Sequence, residues 1–152
     1  MRRKRLLTVV LAGLTCIAGW GCATSQRAAG IYTAELGRAP SQSILIENIL
    51  VVLNSHGYQV HSVSSRMLET EWRLEDAPYA LQEEGITQLR DRIIVILGQR
   101  GRGYYTAQMR GEEQVLMDGQ WQQRALTAAA LDRYRAIAAQ VKQRLQPYMT
   151  QE

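Results

Sequence analysis

After Cys22 the chain contains no cysteine, and only Cys16 precedes it. A disulfide is therefore excluded in any product that starts at Cys22, and an unpaired thiol in an oxidising compartment would be a liability. Histidine is nearly as scarce. His56 and His61 are the only two, with no cysteine near them and no paired carboxylates at ligand spacing. That pattern argues against a metal site and against acid–base catalysis. Ser62, Ser64 and Ser65 lack the strand-to-helix elbow of a nucleophilic serine and read as strand and turn residues. A surplus of basic charge is lacking as well, despite 18 Lys plus Arg against 14 Asp plus Glu in 152 residues. Four of the 18 are Arg2, Arg3, Lys4 and Arg5, so the rest of the chain balances at 14 against 14. Such a domain has no electrostatic footprint for nucleic acid. No segment reaches the roughly 20 apolar residues that span a bilayer core.

What is present begins with the first 22 residues. Met1 to Arg5 is a basic n-region, Leu6 to Ile17 an apolar h-region, and Ala18-Gly-Trp-Gly-Cys22 a small-residue stretch ending in cysteine. This is the layout of a secretory signal. Its end resembles the lipobox of bacterial lipoproteins, in which the cysteine is acylated and becomes the first residue after cleavage. The resemblance implies a signal peptide over 1–21, a cut between Gly21 and Cys22, and a covalent lipid (diacylglycerol, with palmitate-type chains) on Cys22. The competing reading is a chance cysteine behind an ordinary cleavage site. Two or more acyl chains would anchor the chain stably. Ala23, rather than Asp, follows the cysteine; by similarity to Gram-negative lipoprotein sorting, that implies the outer membrane, facing the periplasm.

Residues 22–40 are mostly small and polar and read as a tether, with Ile31, Tyr32 and Leu36 open to docking on the body. A single domain is expected over 41–152. Ser41 or Ser43 caps a helix with Leu45, Ile49, Val52 and Leu53 on one face, and Gly57 closes it. Tyr58 to Val63 alternates as a strand. Met67 to Leu74 alternates as another, Leu68, Thr70, Trp72 and Leu74 facing one way. A polar loop runs from Glu75 to Gln88. Leu89 to Leu97 is apolar on both faces and reads as the central strand. Gly98 to Gly103 is a hairpin tip, Tyr104 to Arg110 returns, Glu112-Glu113 turns, and Gln114 to Gln122 adds a strand or two broken at Asp118-Gly119. Thr127 caps a long final helix carrying Leu131, Tyr134, Ile137, Val141 and Leu145. The fold class is α+β: an antiparallel β-meander of four to five strands packed against an N-terminal and a C-terminal helix. Trp72 is expected in the core, with Ile93, Val95, Leu131 and Val141; Trp121 is also read as core.

The run Leu53-Asn-Ser-His-Gly-Tyr-Gln-Val60 followed by Glu69-Thr-Glu-Trp72 resembles the small domains of BamC-type assembly lipoproteins, where a helix ending in Gly-Tyr precedes a strand pair closing on Thr-acid-Trp. The resemblance implies a role beside an envelope machine. Arg100, Arg102, Tyr104 and Tyr105 at the hairpin tip form the candidate contact for an acidic partner or lipid phosphate, the bland alternative being simple solubility. The leading expectation is a non-enzymatic lipoprotein binding an envelope protein partner, with no cofactor beyond the lipid on Cys22. The alternative is a lipid or glycolipid carrier, which would need a concave apolar cavity.

Overall fold

A computed structural model describes residues 30–101 and 103–149. Seven strands and three helices run in the order β1 (Ile31–Ala39), α1 (Gln42–Ser55), β2 (Val60–Val63), β3 (Met67–Thr70), β4 (Arg73–Asp76), α2 (Tyr79–Gln82), β5 (Ile86–Arg100), β6 (Tyr104–Met117), β7 (Gln120–Gln123) and α3 (Ala128–Met149). All pairings are antiparallel, in the order β1-β6-β5-β3-β2, with β4 also on β5 and β7 also on β6. The N-terminal and C-terminal helices cover one sheet face, so the α+β class stands, with more strands than the sequence pattern suggested.

One additional strand comes from the segment expected as tether. Ile31–Ala39 pairs with β6 along nearly its whole length. Leu36 and Ala39 are completely buried in the core. The strand was hidden because Gly37 (φ 120) inserts a bulge between Glu35 and Gly37, which breaks the period-two alternation. The domain therefore starts by Gly30, whose carbonyl accepts from Gln123 Nε2 at 2.7 Å.

Both long helices start as their caps dictate. Ser41 Oγ accepts from the Ile44 N–H at 3.2 Å, and Thr127 Oγ1 from the Ala130 N–H at 3.1 Å. Gly57 (φ 79) follows the α1 C-cap His56. Leu45, Ile49, Val52 and Leu53 of α1 and Tyr134, Ile137, Val141 and Leu145 of α3 meet Leu36, Leu68, Ile93, Val95 and Met109 of the sheet in one packed cluster. Leu131 and Trp72 are half-buried instead. No helix among the described residues is long and apolar enough to cross a membrane.

β3 and β4 are not the single strand expected. Glu69 lies opposite Ile94, whereas Arg73 lies opposite Asp91, so four steps on one side oppose three on the other. The extra residue in this bulge at Glu71-Trp72 reverses which face each later side chain occupies. Leu74 is turned out to 61% exposure, while Arg73 and Glu75 are turned in beside Asp91. The supposed turn at Glu112-Glu113 is likewise absent. Both residues lie inside β6 and are buried, because each carboxylate finds donors there. The real turn is Asp118-Gly119, with positive φ at both positions.

Candidate functional site

The two sheet faces carry different chemistry. On the helix-covered face Leu89, Asp91, Ile93, Val95 and Leu97 point inward from β5. Asp91, only 3% exposed, interrupts this apolar row. A buried carboxylate needs several donors to offset its desolvation, and Asp91 has them. Arg73 Nε donates at 3.1 Å, Arg133 Nη1 at 2.8 Å, and the Tyr58 hydroxyl also donates. Arg133 Nη2 reaches both oxygens of Glu75 at 3.1 Å. Arg73 lies over the Tyr58 ring and 2.9 Å from Glu75.

Burial raises the Tyr58 hydroxyl well above its ordinary value, and the adjacent Asp91 charge raises it further. Arg133 is desolvated too, but Asp91, Tyr58 and Glu75 outweigh that and hold it firmly charged. Directly across from Asp91 stands Glu113, a like charge on the neighbouring strand. Glu113 accepts from the Thr127 N–H (2.7 Å) and hydroxyl (2.8 Å), pinning the start of α3 to the sheet. Burial nevertheless raises its pKa against those two bonds. This layer separates the main core from a smaller cluster of Ala77, Ile86, Leu89 and Val115, with Leu81 against it. Within the layer Arg73 and Arg133 tie Asp91 to Glu75, a clamp between α3, β4 and β5, while Glu113 is held by Thr127.

The other face is open. Arg90 projects there from mid-β5, its Cζ 4.4 Å from the Trp72 ring centroid and 4.2 Å from that of Trp121. Its Nε and Nη2 both donate to Gln114 Oε1, at 2.9 and 2.6 Å. Burial, and then Arg92, lower its pKa, yet a guanidinium stays charged. Arg92 lies over Trp72 at 4.5 Å and pairs with Glu69 and with Glu112 (2.9 Å), which also takes Arg110 at 2.7 Å. Exposed aliphatic groups flank this row: Leu74 opposite Arg90, and the facing pair Met67 and Ile96 farther along. Trp72 and Trp121, expected in the core, are half-buried on this open face. The bulge that offsets Trp72 from the strand pattern was the missing signal.

At the hairpin tip Arg100 lies opposite Tyr104, and Arg38 stacks on Tyr104 at 5.0 Å. Tyr105, the next residue, points to the helix side and packs on the core. The tip thus brings Arg100 and Tyr104 together and separates Tyr105 from them. Arg102 and Cys22 lie outside the described residues. His56 Nε2 meets Gln140 Oε1 at 3.1 Å. His61 lines an open cleft of about 330 Å³ with Glu69, Glu71, Trp72 and Arg92. A second cleft, of about 560 Å³, lies between α1 and α3, lined by Val51, Val52, Ser55, Gln140, Gln143 and Arg144. Among the described residues no three His, Cys, Asp or Glu side chains are grouped to hold a metal ion.

No protein-family model and no curated protein matches the chain. Among solved structures it is similar to the uncharacterized conserved protein YugN from Geobacillus kaustophilus, at 11% identity and a TM-score of 0.37, over 76% of this chain and 87% of that one.

Proposed function

We propose that this chain is a lipoprotein anchored through acyl chains on Cys22, facing the periplasm from the outer membrane, and acting without catalysis by binding a protein partner of an envelope assembly or transport machine. The observation that carries the partner reading is the contrast between the two sheet faces. The helix-covered face is filled by fully buried Leu36, Leu45, Ile49, Ile93, Val95, Tyr134 and Val141. The open face displays tryptophan, arginine and exposed aliphatic groups, the types enriched where proteins bind proteins. A lipid carrier would need a concave apolar cavity, and the packed helix–sheet layer favours a partner over that alternative. The buried Asp91 supports a non-catalytic role, since Arg73, Arg133 and Tyr58 already occupy it.

A photo-crosslinking amino acid at Ile96, in cells producing the full chain, tests the reading. A discrete protein adduct from the membrane fraction, lost when Cys22→Ser releases the chain, is the expected result. No adduct at Ile96 or Leu74, or a correctly cleaved Cys22→Ser chain still membrane-bound after carbonate, would overturn it.

A further inference from the structure

Arg90 has an unusual position for a charged group. It sits between two indoles in mid-sheet, and its Nε and Nη2 are spent on one neutral amide oxygen. Among the described residues no carboxylate pairs with it, although Arg92, on the same face, takes both Glu69 and Glu112. The other acids of this face are similarly engaged: Glu112 also holds Arg110, and Glu35 accepts from Gln108 at 3.4 Å. Asp76, at the outer end of β4 opposite Gln88, and Glu71, in the cleft with Trp72 and Arg92, are the exceptions. At its centre, therefore, the face has a positive charge to be answered. Beside that charge stands Leu74, the most exposed aliphatic side chain of the sheet.

We infer that the open face docks an extended acidic segment of a partner protein, with a carboxylate accepting from Arg90 between Trp72 and Trp121 and an aliphatic neighbour packing on Leu74. The inference rests on the partner reading above and names the partner's chemistry. A guanidinium held between rings is pre-oriented, so a carboxylate gains charge-assisted hydrogen bonds at little ordering cost. Tryptophan and arginine together are the side chains that dominate binding energy at protein interfaces. A bare phosphate would satisfy Arg90 but leave Leu74 unused, whereas an acidic segment with apolar side chains uses both.

The indoles themselves report the event. The processed chain from Cys22 onward, whose tryptophans are Trp72 and Trp121, is titrated in detergent with a synthetic peptide alternating Glu and Leu while their fluorescence is followed. The expected result is a saturable change that weakens with added salt and is absent with a Lys–Leu peptide. Arg90→Gln should abolish it. Arg90→Lys, which keeps the charge and loses the planar fork, should weaken it by about tenfold or more. Leu74→Ser, at an exposed position that folding does not need, should also weaken it, which guards against an Arg90 variant that fails to fold. Equal responses to the two peptides, or unchanged affinity in both Arg90→Gln and Leu74→Ser, would overturn the inference. So would inorganic phosphate producing the same change undiminished by Leu74→Ser, which would make Arg90 a bare anion site. If the cellular adduct at Ile96 survives Arg90→Gln unchanged, the partner reading stands and this inference fails. If the peptide binds but no adduct forms in cells, the preference of this face for acidic segments stands and the lipoprotein–partner reading fails.

Discussion

Asp91 shows how one residue can decide the interior of the sheet. Its carboxylate holds Arg73, Arg133 and Tyr58 at once. Removing it leaves two cations in a poorly solvated layer with only the partly exposed Glu75 as counter-charge. Asp91→Ala should therefore cost about 3–5 kcal/mol, as breaking one side of a buried ion pair does. Tyr58→Phe removes a single hydrogen bond to a charge and should cost about 1.5–3 kcal/mol. Urea denaturation midpoints of the two variants check the order; equal, small losses would mean that the layer is wetter than its burial indicates. The sequence held half of this information. Asp91 stands visibly in an apolar alternation from Leu89 to Leu97, and a charge there must have partners. Which arginines answer it was not legible, because Arg73 reaches the inner face only through the bulge at Glu71-Trp72 and Arg133 comes from a helix that follows two more strands. The same bulge placed Trp72 on the open face, so the Trp72–Arg90–Trp121 row was beyond a reading that treated Met67 to Leu74 as one strand.

Elements with regular periodicity were legible, and those with bulges were not. The amphipathic spacing of α1 and α3 and their serine and threonine caps appear in the structure where the pattern placed them. β1 did not show itself, since Gly37 breaks its alternation. If β1 is a core strand and not a tether, Leu36→Ala should lower stability by about 2–5 kcal/mol, the range for emptying a buried leucine site. A tether residue would change nothing in the same unfolding curve. The β6–α3 connection carries a pH dependence of definite sign. Folding raises the Glu113 pKa, so the native state binds a proton that the unfolded chain releases. The stability from that protonation is present in acid and is lost as pH rises from the ordinary carboxylate range through the raised native value. Glu113→Gln keeps an acceptor for Thr127 without the charge. Wild-type stability relative to this variant should accordingly fall as pH rises from about 4 toward neutrality; a constant difference across that range would show that the two Thr127 bonds cancel the burial.

At the scale of the whole molecule, the polar layer divides one sheet face into unequal parts. The larger part holds α1 and most of α3 against Leu36, Leu68, Ile93, Val95 and Met109. The smaller consists of Ala77, Ile86, Leu89 and Val115, with Leu81 of the one-turn α2 against them. Pro78, the α2 N-cap, makes no side-chain capping bond. Local opening costs roughly in proportion to the apolar surface it exposes, so the small part should open first and by itself. Hydrogen exchange should therefore find the amides of Ala77 to Leu89 reporting a lower opening free energy than those of Ile93 to Leu97 and Ile137 to Leu145. Leu81→Ala should speed exchange in the first group and leave the other two unchanged. The clamp of Asp91, Arg73 and Arg133 is what limits the opening: it ties β4 to α3 across the boundary, so Asp91→Ala should let the opening spread into Ile93 and the first turns of α3. Exchange at one common rate throughout, in both the wild type and Leu81→Ala, would mean that the two clusters unfold as one unit and that the ionic layer joins them more than it divides them.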